Sequence, residues 1–138
     1  MIAYLDASVL LRVVLRQPDA LKEWPRIERG VTSALTQVEC LRTLDRLRIA
    51  QGIGDQDIAP RREAVYRLVE AMEVVELTAG VLARASQPMP TTLGTLDAIH
   101  LATALLWRER SSADVVMATH DFALASAARA TGFRVAGA

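Results

Sequence analysis

Short apolar runs alternate along this chain with longer stretches in which apolar residues recur every three or four positions, the pattern of strands interleaved with amphipathic helices. Ile2-Ala3-Tyr4-Leu5 reads as a buried strand. A helix over residues 7–15 follows, and Gln17-Pro18 ends it because proline brings no amide hydrogen to the ladder. A second helix is predicted over 20–28, stopping near Gly30, and Val31-Thr32-Ser33 supplies the second strand. The clearest helical pattern covers 36–50 and closes at Gln51-Gly52-Ile53-Gly54, where glycine accepts the positive φ of a C-terminal cap. Pro60 opens a further helix to residue 72, Val74-Val75-Glu76-Leu77 forms a strand, and Thr78 caps a short helix to residue 86. After the loop Pro88-Met89-Pro90-Thr91-Thr92-Leu93-Gly94, helices over 95–108 and 122–130 flank a strand over 115–118, and 133–135 is the last strand. The alternation predicts a single α/β domain over residues 1–138, a sandwich about a mostly parallel sheet.

Composition narrows the chemistry. At 138 residues and 51% hydrophobic, with few aromatics, the chain can bury an aliphatic core without disulfides or a structural metal. Lys+Arg and Asp+Glu balance at 16 each, which excludes a strongly basic nucleic-acid coat protein but leaves local patches open. Every basic residue except Lys22 is arginine, so bidentate phosphate contacts are available while lysine chemistry is confined to one position. Cys40 is the only cysteine and can form no internal disulfide. With no basic leader and no apolar run near the ~18 residues of a membrane span, the expectation is a cytoplasmic protein that does not enter the membrane.

Four carboxylates stand out: Asp6, Glu39, Asp97 and Asp121. Asp6, Asp97 and Asp121 fall where strand gives way to helix, and ligands of an open parallel sheet collect beyond the carboxyl ends of its strands. Taken singly, Asp6 and Asp121 read as helix N-caps and Asp97 as a first-turn acid complementing the macrodipole. Capping and metal binding are compatible, because a carboxylate pointed over a helix N-terminus also points over the crevice. Several carboxylates in one small volume raise one another's pKa values, so such a cluster marks a divalent cation. Ser8 and Thr119, each two residues from one of these acids, can orient a carboxylate through their hydroxyls.

Glu39 lies inside a helix, where capping cannot explain it. Ala34, Leu35, Val38, Leu41, Leu44 and Ile49 form that helix's apolar stripe, with Glu39 flanking it and Arg42 and Arg46 on the same side. One reading is an exposed Glu–Arg pair; the other makes Glu39 a metal ligand or a base and gives the arginines to phosphates. Asp45 and Arg48 fall within the apolar sector, which suggests a face meeting another subunit or protein. His100 reads as a histidine packed beside its own helix, and His100, His120 and Cys40 supply no closed zinc set. No phosphate loop, dinucleotide fingerprint or nucleophile elbow occurs.

Together these segments resemble the PIN-domain ribonucleases, and among them the VapC-type toxins of toxin–antitoxin pairs. The resemblance spans nearly the whole chain. It rests on the strand ending in Asp6-Ala7-Ser8, Glu39 in the third helix, Leu96-Asp97-Ala98-Ile99-His100-Leu101-Ala102-Thr103-Ala104, Thr119-His120-Asp121, and the later Ala127-Ala128 and Gly132-Phe133. It implies a three-layer α/β/α fold, a Mg²⁺ or Mn²⁺ site made by Asp6, Glu39, Asp97 and Asp121 with Ser8 and Thr119 in support, and selective RNA cleavage. It also implies a homodimer and a small antitoxin partner. RNA contacts fall to local arginines, with Arg12, Arg42 and Arg46 as candidates. Two other classes stay open. A Mg²⁺-dependent phosphotransfer or phosphatase-like domain also uses an Asp after an early strand, although Ser8 stands where a haloacid-dehalogenase-like enzyme has a second Asp and the later lysine is missing. A catalytically inactive protein-binding module would use the acids as caps alone.

Overall fold

Alternation within the strands decides the layering of this computed structural model, which describes residues 1–138. Residues two apart along a strand share a face. In β1 (Ile2–Leu5), Ala3 and Leu5 face one side; in β4 (Val115–Ala118), Val116 and Ala118 join them. That side is covered by α1 (Ala7–Val14), α2 (Ala34–Gln51) and α3 (Asp55–Glu70), through Val9, Leu10, Cys40, Leu44, Ile58 and Val65. Tyr4, Val115 and Met117 face the other way, against Leu101 and Leu105 of α5 (Thr95–Ser111) and Leu124 and Ala128 of α6 (Phe122–Ala130). Two apolar cores on opposite faces of one sheet make the three-layer α/β/α sandwich.

The other strands are β2 (Arg29–Ser33), β3 (Glu73–Val75) and β5 (Arg134–Ala136), and α4 (Ala79–Ala85) packs on α5. The sheet runs β3-β2-β1-β4-β5 with every neighbouring pair parallel, Tyr4 opposite Val31 and Leu5 opposite Ala118. The chain builds outward from β1 to β3 and then restarts at β4 on the other flank. The point where strand order reverses, between β1 and β4, is where such sheets open a crevice at their carboxyl ends. No helix is long and apolar enough to cross a membrane.

Some expected elements differ. The helix predicted over 20–28 is only a 3₁₀ turn, Trp24–Arg26, because Pro25 cannot carry the helical ladder through that segment. Pro60 lies inside α3 instead of opening it; Asp55 and Asp57 complement the dipole of an earlier start, and Ile58 draws the first turn into the core. In α2 the buried positions are Thr36, Cys40 and Leu44, while Val38 and Ile49 of the expected stripe are 55% and 67% exposed. Thr36 is admitted to the core because its hydroxyl is hydrogen-bonded to that of Thr32 at 2.8 Å, while Thr32 donates to the Leu5 carbonyl at 2.6 Å. Asp45 and Arg48 are not within the buried face: they pair at 3.0 Å on a partly exposed flank, where Arg42 also reaches Asp45 at 3.3 Å.

Candidate metal centre

Asp6 is the fixed point of the site. It follows the last residue of β1, caps α1 by accepting from the Val9 backbone nitrogen at 3.3 Å, and is almost fully buried. The Ser8 hydroxyl donates to its Oδ1 at 2.6 Å and the Thr119 hydroxyl to its Oδ2 at 2.7 Å. Each hydroxyl spends its single proton on Asp6 and accepts a backbone amide with its oxygen: His120 donates to Ser8 Oγ at 2.9 Å and Asp121 to Thr119 Oγ1 at 2.9 Å. The β1–α1 and β4–α6 junctions are thereby tied together across the switch point. Gly137, at φ +96°, lets the chain beyond β5 pass Thr119, whose carbonyl oxygen would lie 2.7 Å from any added Cβ.

Asp121 caps α6, accepting from the Leu124 backbone nitrogen at 2.9 Å. Asp97 sits in the first turn of α5, after the proline loop and not directly after a strand as expected. No protein group donates a hydrogen bond to it. Glu39 projects from α2, and its Oε1 lies 2.5 Å from His100 Nε2. His100 Nδ1 lies 2.8 Å from the Tyr4 hydroxyl, with both rings buried. The phenol remains protonated, its pKa raised chiefly by burial. Tyr4 at Nδ1 and Glu39 at Nε2 thus hold the ring from both sides, with the Nε2–H donating to the Glu39 carboxylate.

This removes one of the two readings of Glu39, which belongs to no exposed Glu–Arg pair, and overturns the expectation for His100, which bonds β1 to α2 rather than resting beside its own helix. Tyr4 and His100 carried a signal that was missed. Each is a polar-tipped side chain on an otherwise apolar buried face, and such groups need partners.

Electrostatics join the four acids. Burial first, then the charge of Asp121, holds the Asp97 carboxyl above its usual range, with Asp6 and Glu39 adding and His100 opposing. Burial also raises Asp6, against the hydroxyls of Ser8 and Thr119. As the side chains lie, no three of the His, Cys, Asp and Glu groups close around one ion. Like charges spread when nothing draws them in, and Glu39 is held by His100. The donor set nevertheless fits a hard divalent cation: it is all oxygen, net negative, and raises the proton affinity of its least braced member.

The acids gather at the carboxyl edge of the sheet, Asp6 buried and Glu39, Asp97 and Asp121 partly buried. None of them lines the five principal concavities of the surface, the largest of about 600 Å³ between α1 and α3. The candidate arginines lie outside the hydrogen-bonded network: Arg12 pairs with Asp19 at 2.8 Å, Arg42 with Asp45, and Arg46 donates to Thr43 at 3.0 Å.

Comparison with known proteins follows the same lines. The PIN domain model matches residues 3–131. The chain is 31% identical over 137 residues to Ribonuclease VapC47 of Mycobacterium tuberculosis (strain CDC 1551 / Oshkosh), covering 94% of this chain and 92% of that protein. To Ribonuclease VapC46 of Mycobacterium tuberculosis (strain ATCC 25618 / H37Rv) it is 33% identical over 136 residues, covering 96% and 94%. Among solved structures, a toxin-antitoxin complex from Klebsiella pneumoniae superposes with a TM-score of 0.68 at 14% identity, over 99% of this chain and 98% of that one.

Proposed function

The chain belongs to the PIN-domain family, and from that membership we propose that it is a divalent-metal-dependent endoribonuclease of the VapC type, the toxin of a toxin–antitoxin pair. The observation that carries the reading is the buried Asp6 carboxylate, locked by Ser8 and Thr119, together with Asp97, whose carboxyl feels the charges of Asp121, Asp6 and Glu39. Asp6, Glu39, Asp97 and Asp121 would hold Mg²⁺ or Mn²⁺. When bound, such an ion polarises a phosphoryl oxygen and lowers the pKa of water, giving a nucleophile at neutral pH.

The chain's own residues do the positioning. Ser8 and Thr119 fix both oxygens of Asp6, and Asp121 is held by the Leu124 amide. His100 fixes one oxygen of Glu39 and leaves the second without a protein donor, available to the ion or to the attacking water. In-line attack forms a bond from water oxygen to phosphorus and breaks the bond to the 3′ oxygen, which takes a proton, leaving 5′-phosphate and 3′-hydroxyl ends. Arg42 and Arg46 on the exposed flank of α2, and Arg12 on α1, are the proposed phosphate contacts; surface ion pairs such as Arg42–Asp45 are weak enough to exchange for a phosphate. A small antitoxin, a homodimer and a cytoplasmic setting complete the proposal.

The phosphatase-like alternative loses ground because Ser8 donates to Asp6 in place of supplying a second acid. The test is cleavage of RNA with Mg²⁺ or Mn²⁺ by wild type, by Asp97→Asn of verified fold, and by wild type in EDTA. Discrete products from metal-loaded wild type alone are expected. Equal activity in the variant would remove Asp97 from the site, and no cleavage with no metal binding by calorimetry would leave the protein-binding module as the reading.

A further inference from the structure

Polar side chains deep in a core need a reason, and for His100 the fold alone supplies none. Its ring is 2% exposed and stands edge-on to Tyr4, with centroids 5.9 Å apart. Its two nitrogens make one bond each, to the Tyr4 hydroxyl at 2.8 Å and to Glu39 Oε1 at 2.5 Å. Neither bond is needed to seat α5, which Leu101, Ala104 and Leu105 already pack against the sheet. Burying an imidazole and a phenol together costs free energy that two apolar side chains would not, so what the pair secures is the Glu39 carboxylate. Donors to the other acids follow a pattern. Asp6 accepts from Ser8 and Val9 at Oδ1 and from Thr119 at Oδ2, and Asp121 accepts from Leu124 at Oδ1. Asp97 alone keeps both oxygens clear of protein donors.

We propose that His100, held by Tyr4, is a specificity-determining positioning residue: it withholds Glu39 Oε1 from the ion and so selects a small octahedral cation such as Mn²⁺ over Ca²⁺. This rests on the metal centre of the ribonuclease reading and adds which ions that centre takes. Ca²⁺ gathers about six to eight oxygens at about 2.3–2.6 Å and is commonly gripped by both oxygens of one carboxylate, whereas Mg²⁺ takes an octahedral set at about 2.0–2.1 Å and keeps several waters. Mn²⁺ shares the octahedral oxygen preference. To grip with both oxygens, Glu39 would have to turn Oε1 off the Nε2–H and leave a buried ring nitrogen without its partner, which is costly. The ring cannot follow the carboxylate, because it is enclosed and tied to Tyr4. Asp6 and Asp121 are restrained in a similar way, but by groups that belong to the α1 and α6 junctions; His100 is the donor with no part in a helix cap.

The experiment is calorimetric titration of the metal-free protein with Mn²⁺ and with Ca²⁺, read as the ratio of the two dissociation constants. Wild type should bind Mn²⁺ about tenfold or more tightly than Ca²⁺. His100→Leu should move the ratio about tenfold toward Ca²⁺, tightening Ca²⁺ while loosening Mn²⁺, within the range that loss of an outer hydrogen-bond partner produces at metal sites. Tyr4→Phe/His100→Leu, which strands no buried hydroxyl, should do the same. His100→Gln, whose amide keeps a donor near the place of Nε2, should stay near wild type, and in Glu39→Gln the further change His100→Leu should leave the ratio where it was. A histidine that only supports the fold would on removal weaken both ions by one factor; an unmoved ratio in His100→Leu therefore overturns the proposal, as does wild type that binds Ca²⁺ as tightly as Mn²⁺. With either result, Mn²⁺-dependent cleavage of RNA leaves the ribonuclease reading standing. The expected ratios without cleavage uphold the selectivity and remove the nuclease, and wild type that binds neither ion overturns both.

Discussion

Thr119→Val removes one oxygen from the site and keeps the shape of the side chain. The lost hydroxyl donates to Asp6 Oδ2 at 2.7 Å and accepts the Asp121 amide at 2.9 Å, and Thr119 has no exposed surface. A hydrogen bond to an ionised carboxylate contributes about 1.5–3 kcal/mol, and an orphaned buried amide costs about 1 kcal/mol more, so the metal-free protein should lose about 3 kcal/mol where Asp6 is charged. Where Asp6 is protonated the bond lost is between neutral groups, worth about 1 kcal/mol, and with the orphaned amide the loss is about 2 kcal/mol. The sign follows from burial. Asp6 is held above its ordinary carboxylate range, so the native state keeps this proton to higher pH than the unfolded chain does. Its ionisation therefore lowers stability as pH rises from the unfolded value through the native one, and the full cost is present above that window. Removing a hydroxyl that favours the charged form raises the native pKa further and enlarges the cost. Urea unfolding in EDTA at about pH 8 and about pH 4 should show the greater penalty at the higher pH. Equal penalties at both, or none, would refute the account of how Asp6 is held.

Two other outcomes follow from the same charges. Burial, reinforced by Glu39 and Asp6, pushes the Cys40 thiol up to about 12, so native protein should resist iodoacetamide and label only after denaturation; rapid native labelling would contradict the packing of α2 on the sheet. Asp97→Asn should raise the melting temperature of metal-free protein at neutral pH, because it removes a charge that Asp121, Asp6 and Glu39 disfavour, while reducing the stabilisation gained on adding Mn²⁺. A lower melting temperature without metal would show that Asp97 is held by something other than mutual repulsion.

How much of this was legible in the sequence depends on the range of each signal. The strand over 115–118 and the helix over 122–130 match β4 and α6, because Thr119-His120-Asp121 is a strand end and an N-cap read from adjacent residues. Asp6 and Asp121 were found by the same local logic. The helical wheel failed for α2, since its core face includes Thr36, whose hydroxyl is satisfied by Thr32 on β2, and no hydropathy scale anticipates a partner so placed. The bond from Glu39 to His100 joins residues 61 apart and that from His100 to Tyr4 joins residues 96 apart, so their pairing appears only when the fold brings α2, α5 and β1 together.

The four acids are not equivalent, and the difference suits the proposed chemistry. Asp6 is braced through both oxygens, Asp121 is capped by a backbone amide, and Glu39 is steered by a histidine whose other nitrogen is tied to the core. Asp97 alone has no protein donor, yet it carries the repulsion of the other three. Native structures tolerate such a local conflict where a ligand relieves it, and a preorganised site concentrates the conflict where relief also does chemical work. Braced acids keep their positions with or without a cation, so little ordering entropy remains to oppose binding, whereas the unbraced acid gains most from a cation's charge. In the proposed site, affinity for the ion and instability without it would meet at one residue, which is why Asp97 is the position at which metal binding and the stability of the metal-free fold should separate most clearly.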